Sequence, residues 1–182
     1  MLSKIEFYNF ENEVWYRNAN GTTAKLNENS EVVGEIIEMI SEYYPKAFAA
    51  LEKEYSRCLP NITLYRYRIV NRFIRCNFGI IDNVYDIDAM GKSHIEDVPC
   101  PLRGECKHEC VICRPEFNSH ISAAEMRVLR LWYEGMKKEE IAEQLYLSVH
   151  TVNNHIRNAF NRIGINSKAE FFRYAQQNNL FS

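Results

Sequence analysis

The sequence has no apolar run that approaches the roughly 20 residues needed to span a bilayer. Its first six residues, Met1 to Glu6, also lack the basic-then-apolar pattern of a signal peptide. We therefore expect no membrane association and a cytoplasmic location. A hydrophobic content of 46% and a charged content of 25% are ordinary for a soluble globular protein.

Motifs of catalysis are also missing. The chain contains no His-Glu-x-x-His zinc motif, no nucleophile elbow and no phosphate-binding loop. It also lacks the acidic pair, strand-end Asp and later Lys of a phosphoacceptor receiver domain. These absences predict a protein that is not an enzyme, and they leave open which signal the N-terminal region senses.

The chain has no overall positive charge that would attract nucleic acid. Its net charge of −2 is, however, unevenly divided. Residues 121–182 contain eight basic and six acidic side chains, so this part carries +2 and the remainder carries −4. A local basic surface at the C-terminal end is therefore the candidate for contact with DNA.

Strand-like patterns open the chain. Aromatic and β-branched residues are frequent in residues 5–10 and 14–17. Asn20-Gly21 is a strong hairpin signal after the second run, so residues 22–26 would return as its partner strand. Residues 84–98 have a similar pattern around a central turn. We expect a small sheet at the N-terminus and a second hairpin over residues 84–98.

Helical periodicity begins near residue 30. Pro45 can open a second helix, and Asn61 is a suitable cap for a third that runs to Phe78. One face of this third helix carries three arginines, Arg68, Arg72 and Arg75. Such a face could grip phosphate or an acidic partner, but we favour a solvated face that pairs with the acids of residues 82–97.

A cysteine-rich segment covers residues 100–113. It contains four of the six cysteines, Cys100, Cys106, Cys110 and Cys113. In a cytosolic protein this density is more typical of metal ligands or redox groups than of structural disulfides, and four thiolates suit tetrahedral Zn²⁺. The four cysteines are therefore a candidate site for one structural zinc ion. Plain reduced thiols are an equal alternative, and an iron–sulfur cluster or a thiol switch are further ones.

The other two cysteines, Cys58 and Cys76, lie on or beside predicted helices. We expect both to be buried free thiols.

The chain becomes purely helical after residue 114, which predicts two domains, 1–114 and 115–182. Ser122 and Glu125 form a capping box at the start of the first of four C-terminal helices. The third of these begins at Ser148 and ends near Ile163. It has one apolar stripe, while its other faces carry His, Asn and Arg without any acid, a composition that suits base edges and phosphates.

Several segments of this region follow one another in a familiar register: Ile121–Leu129, Gly135, Glu140–Leu145, Leu147-Ser148, Thr151-Val152-x-x-His155-Ile156 and Ile163-Gly164-Ile165. Over roughly residues 120–175 the chain resembles the LuxR-type helix-turn-helix, also called the FixJ or GerE type. The resemblance implies a four-helix domain whose third helix enters the major groove and whose fourth commonly mediates dimer contacts. The expected fold class is thus α+β: an α+β N-terminal domain with hairpins, helices and a Cys-rich segment, followed by an all-α four-helix domain.

The residues predicted to contact DNA all lie on or beside the third helix: Ser148, His150, Thr151, Val152, Asn153, Asn154, His155, Arg157, Asn158 and Arg162. The resemblance implies that Thr151 holds a backbone phosphate, that Val152 approaches a base step, and that His155 orients the helix or touches phosphate. Asn153 stands where the family commonly has a base-reading lysine, and Ala124 where it often has arginine. Because Asn pairs with adenine whereas Lys favours guanine, we expect an operator that differs from those of typical members.

We interpret the chain as a sequence-specific DNA-binding transcriptional regulator with an N-terminal regulatory or assembly domain. The expected partners are double-stranded DNA, a second copy of the chain in a homodimer on that DNA, and RNA polymerase. Two alternatives stay open. One is a small sigma-factor-like protein acting with RNA polymerase, although the N-terminal hairpins and cysteines do not resemble a core-binding region. The other is a metal- or thiol-dependent redox sensor.

Overall fold

The computed structural model describes residues 2–82, 84–89 and 91–181. The chain divides into two units, residues 1–116 and 117–182. The first contains a sheet and helices, and the second contains helices, so the expected α+β class is confirmed. No helix among the described residues is long and apolar enough to cross a membrane.

A three-stranded antiparallel sheet opens the first unit, in the order β1-β2-β3. Its strands are β1 (Glu6–Phe10), β2 (Glu13–Arg17) and β3 (Thr23–Lys25). Glu11 and Asn12 join the first two strands with φ of 48° and 62°, which gives a two-residue turn that matches the strand twist. In the next turn the Asn18 side chain accepts the amide of Thr22 at 3.1 Å, and Gly21 has a φ of 75°. The first predicted hairpin is confirmed.

Three α-helices follow: α1 (Val32–Tyr43), α2 (Pro45–Glu54) and α3 (Ile62–Asn77), with a short 3₁₀ turn at Ser56–Cys58. Pro45 is the first residue of α2, where its missing N–H costs no hydrogen bond. Asn61 caps α3 by accepting the Leu64 amide at 3.1 Å. The core of this unit joins the sheet to α3, because the buried rings of Phe7 and Phe78 stack at 5.9 Å.

In the described part of residues 84–98, the second predicted hairpin does not form as two strands. Among the described residues of this segment, Ile87 makes only isolated bridges, to Ile5 and to Ser93. A tight turn closes beside it, since the Asp88 amide donates to the Lys92 carbonyl at 3.0 Å. Met90, inside the predicted turn, lies outside the described residues. Through Ile87 the segment pairs with Ile5, the residue just before β1, and the predicted pairing of residues 84–88 with residues 94–98 is replaced by this contact.

Asp86 explains much of this arrangement. Its carboxylate is buried, with 2% of the residue exposed, and it accepts the Phe7 amide at 2.5 Å. Burial is the main cause that raises the pKa of Asp86 to about 8, while the Phe7 amide opposes the rise and neighbouring acids such as Glu96 and Glu6 add to it. In the predicted strand the Asp86 carboxyl would point to solvent. Its burial against Phe7 is therefore not compatible with that strand.

The second unit consists of four helices: α4 (Ala123–Tyr133), α5 (Lys138–Gln144), α6 (Val149–Ile163) and α7 (Lys168–Gln177). The predicted capping box is confirmed, because Glu125 donates its amide to the Ser122 hydroxyl and accepts the Ser122 amide at 2.8 Å. Gly164 ends α6 in the left-handed region, with a φ of 69°, which favours glycine.

The core of the second unit is aromatic. Phe171 is fully buried and lies 5.8 Å from the rings of both Trp132 and Phe160. Along α7 the structure exposes Ala169 and buries Phe171 and Ala175. Those two residues are one turn apart, so they share the face that packs on α4 and α6 residues.

Candidate nucleic-acid interface and cysteine segment

Ser148 sets the start of α6. Its hydroxyl accepts the Thr151 amide at 3.0 Å and lies 2.8 Å from the Thr151 hydroxyl, so both side chains belong to the cap. The turn before it is tight, because the Leu147 amide donates back to the Ala142 carbonyl at 2.8 Å. Within that turn Tyr146 has a φ of 55° and a 96% exposed side chain. The cap and turn fix the direction in which α6 leaves α5.

One side of α6 packs on the helical core. Val152 and Ala159 are fully buried and Ile156 is 6% exposed, which confirms the predicted apolar stripe. The prediction that Val152 approaches a base step is wrong. A side chain with no exposed surface offers nothing to DNA, and Val152 holds α6 on its neighbours instead.

The opposite side of α6 is polar and free of acid. His150, Asn153, Arg157 and Asn158 are exposed, while Asn154 and His155 are half-buried. Positions three and four apart on a helix are neighbours, so these residues form one continuous surface. Within it an Arg157 guanidinium nitrogen donates to the Asn154 side-chain oxygen at 2.9 Å.

Lys138 was missed by the sequence analysis. It is the first residue of α5, and its ammonium group donates to the Asn153 side-chain oxygen at 2.6 Å. This contact orients the Asn153 amide and adds a positive charge beside it. Periodicity within α6 could not reveal Lys138, because the two residues meet only through the packing of α5 on α6.

Arg162 and His155 share a buried partner. The Arg162 Nε lies 3.4 Å from a carboxylate oxygen of Glu125, whose side chain is 4% exposed. Burial acts most strongly on Glu125 and would raise its pKa. The hydrogen bonds from Ser122 and the positive charges of Arg162 and His155 outweigh it, so the pKa is lowered. Arg162, predicted to contact DNA, thus also anchors α6 to α4.

Residues 119–175 match the family model described as bacterial regulatory proteins, luxR family. The C-terminal unit carries a LuxR-type helix-turn-helix domain. This LuxR-type domain belongs to a family of regulatory proteins and not of enzymes, in agreement with the non-enzymatic interpretation.

The LuxR-type domain is also similar to part of the Fimbriae Z protein of Salmonella typhimurium, with 42% identity over 60 residues. That segment is 33% of this chain and 29% of the relative, so the chain spans less than a third of the length of the curated relative it matches. No solved structure matched the chain.

The predicted zinc ligands do not all lie together. Cys100 and Cys110 are exposed, whereas Cys106 and Cys113 are half-buried. The Cys110 amide donates to the Cys113 sulfur at 3.4 Å. Within residues 2–82, 84–89 and 91–181, no three His, Cys, Asp or Glu side chains are gathered in a manner suited to one metal ion. The structural zinc ion stays a prediction.

Three of these cysteines and Cys76 line a cavity of about 290 Å³, and Cys110 does not. Cys76 lies near the end of α3 and is half-buried, as is Cys58, whereas full burial was expected for both. Burial raises the pKa of Cys76 to about 11, although the charge of Arg72 opposes the rise. A free thiol with such a pKa is protonated at neutral pH and is a poor nucleophile, which disfavours a thiol switch at this position.

The arginine face of α3 does not pair with the acids expected for it. Among the described residues, Asp97 binds Arg103 at 2.9 Å and Arg114 at 2.6 Å. Arg75 instead donates to the Asn71 side chain at 3.0 Å, and Arg72 donates to the Cys106 sulfur at 3.8 Å. The favoured interpretation of this face as one that pairs with residues 82–97 is therefore wrong.

Proposed function

We propose that this chain is a sequence-specific DNA-binding transcriptional regulator that reads the major groove with α6. The observation that carries the proposal is the acid-free polar side of α6, with Asn153 oriented by Lys138 and Arg157 beside it. A protein-binding surface of the same size would be richer in apolar anchors. The match to the luxR family supports the same function.

Asn153 is the proposed base-reading residue. Its amide can donate to N7 and accept from N6 of adenine, and the Asn oxygen has a second lone pair for Lys138. Arg157 lies one turn further along α6 and is proposed to contact a base edge or a phosphate. Lys138, Ser148 and Thr151 lie at the start of α5 and α6, and we assign phosphate contacts to them. Helix N-termini attract anions.

The proposed assembly is a homodimer on two half-sites. One recognition helix reads only a few base pairs, and two-fold related helices of this class reach half-sites about 34 Å apart, one turn of DNA. Such a regulator would act on RNA polymerase at the promoter it occupies. We assign to the first unit the sensing of the signal that controls this regulator.

The test uses the full-length protein and randomised duplex DNA, from which bound sequences are selected and then used in fluorescence anisotropy titrations. Asn153→Ala should weaken binding to the selected site by about 1–3 kcal/mol and relax the preference at one base pair. Lys138→Met should weaken binding to all sequences and reduce the slope of log K against log salt by about 1.

Asn161→Ala is the matched control, because it removes the same amide two turns further along the exposed side of α6. It should bind like the wild type. Undiminished binding by the double variant Asn153→Ala/Arg157→Ala would refute the assignment of α6 as the reading helix.

A further inference from the structure

The cavity in the first unit brings together cysteines that are far apart in sequence. Cys76 comes from the last turn of α3, and Cys100, Cys106 and Cys113 come from the cysteine-rich segment. Four of the six cysteines of the chain thus surround one space of about 290 Å³. The cysteine-rich segment has little regular structure, so its contacts with the helices determine where its thiols lie.

Specific contacts hold the segment against the helices. The Asn77 side chain, next to Cys76, donates to the Ile112 carbonyl at 2.9 Å, and Ile112 is 1% exposed. At the other bend, Glu54 of α2 binds Lys107 at 2.7 Å and His108 at 3.0 Å. These contacts hold the residues next to Cys113 and Cys106 against α3 and α2.

We propose that this cavity binds an iron–sulfur cluster through Cys76, Cys100, Cys106 and Cys113, and that Cys110 is not a ligand. Four thiolates are the usual ligand set of such clusters. In a 4Fe–4S cluster each thiolate binds a different iron, and in a 2Fe–2S cluster two thiolates bind each iron, so in both cases the four sulfurs surround the cluster and do not converge on one point. Four cysteines that line one cavity supply a ligand set of this kind.

The charges around the cavity also fit a cluster with four thiolates, which carries net negative charge. Arg72, Arg75 and Arg103 line the cavity with the cysteines and one acid, Glu109, and Arg103 is paired with Asp97. Arg72 already donates to the Cys106 sulfur at 3.8 Å, and hydrogen bonds of this kind stabilise and tune sulfur ligands. Among the described ion pairs neither Arg72 nor Arg75 has a carboxylate partner. Arg75 donates to Asn71 and Asn12, so Arg72 is the arginine that faces a cysteine sulfur.

Cys110 has a different role in this assignment. Its thiol is exposed and does not line the cavity, but its amide donates to the Cys113 sulfur at 3.4 Å. It therefore supports a ligand through its backbone. A zinc knuckle made by Cys100, Cys106, Cys110 and Cys113 would need the Cys110 thiol to turn inward and would leave Cys76 unused.

The test uses the full-length protein, expressed with added iron and purified without oxygen. Iron and acid-labile sulfide should be present in equal amounts, about two or about four of each per chain, with a brown colour and visible absorption that is lost on exposure to a chelator and oxidant. Zinc in place of iron and sulfide, or a protein with no bound metal, overturns the proposal.

Single serine variants test the ligand set. Cys76→Ser should lose most of the iron and sulfide, whereas Cys110→Ser and Cys58→Ser should keep them. If Cys110→Ser loses as much as Cys76→Ser, the assigned ligands are wrong. Circular dichroism, and Trp15 fluorescence in a Trp132→Phe background, report whether each variant folds. Should Cys76→Ser fail to fold, Cys100→Ser at an exposed position makes the same comparison with Cys110→Ser.

Discussion

Replacing Asp86 by asparagine should change how the stability of the first unit depends on pH. The carboxyl is 2% exposed, and its pKa rises from 3.8 to about 8 in the folded chain. Desolvation is the main cause, with the Phe7 amide opposing it and Glu96, Glu6 and Asp82 adding to it. Asparagine has nearly the same shape and can still accept the Phe7 amide, but it has no proton to lose.

The size and sign of the effect follow from these two pKa values. Between pH 3.8 and pH 8 the folded chain holds a proton on Asp86 that the unfolded chain has released. The free energy of unfolding therefore falls as the pH rises through this window, and it stays constant above the window. Each pH unit is worth about 1.4 kcal/mol for one group, so the whole window is worth up to about 6 kcal/mol. Asp86→Asn should lose this slope and be more stable than the wild type at pH 8.

The assay is urea unfolding at a series of pH values. The chain has two tryptophans, Trp15 in the first unit and Trp132 in the second, so Trp132→Phe leaves a reporter for the first unit alone. Asp97→Asn is the control. Asp97 is exposed, and its hydrogen bonds with Arg114 and Arg103 lower its pKa, so its removal should not flatten the slope. Equal slopes for wild type and Asp86→Asn would refute the reasoning.

Two further predictions concern the second unit, and both can be followed by Trp132 fluorescence in a Trp15→Phe background. Tyr146 has a φ of 55° and is almost fully exposed, and glycine adopts a positive φ with less strain than alanine. Tyr146→Gly should therefore be more stable to urea than Tyr146→Ala by about 1 kcal/mol. Equal stability of the two variants would contradict a left-handed conformation at this position. Glu125→Gln removes the charge that faces Arg162 and should lower the free energy of unfolding at pH 7 by about 1 kcal/mol. Because folding lowers the pKa of Glu125, the stability that its charge contributes is lost as the pH falls below the normal range of the carboxyl. The exposed control Glu134→Gln should have little effect, and a similar loss there would argue against a special role for Glu125.

The helices could be predicted because their ends depend on local chemistry. Asn61, Ser122 and Ser148 each cap a helix with a hydrogen bond to a residue three positions later. Such bonds need no knowledge of the rest of the chain. The apolar stripe of α6 was predictable for the same reason, since its spacing is a property of one helix.

What could not be predicted depends on contacts between segments. Nothing within α6 shows that Lys138 reaches Asn153, and nothing near Cys76 shows that it lies beside Cys113. Asp86 is similar, because an alternating pattern predicts a solvent-facing acid, while packing against β1 buries it. Val152 was misassigned because a family motif marks positions of importance without separating those that hold the helix from those that touch DNA.

In α6 the positions that hold the helix and those proposed to touch DNA lie on opposite sides. Val152, Ile156 and the Glu125–Arg162 pair hold the helix, while Asn153 and Arg157 lie on the exposed side and contribute little to the core. Mutations at the second set can therefore accumulate without unfolding the domain. Under the proposed function, a duplicated copy of this gene could acquire a new target through one or two codons, and an engineer could vary Asn153 on the same scaffold.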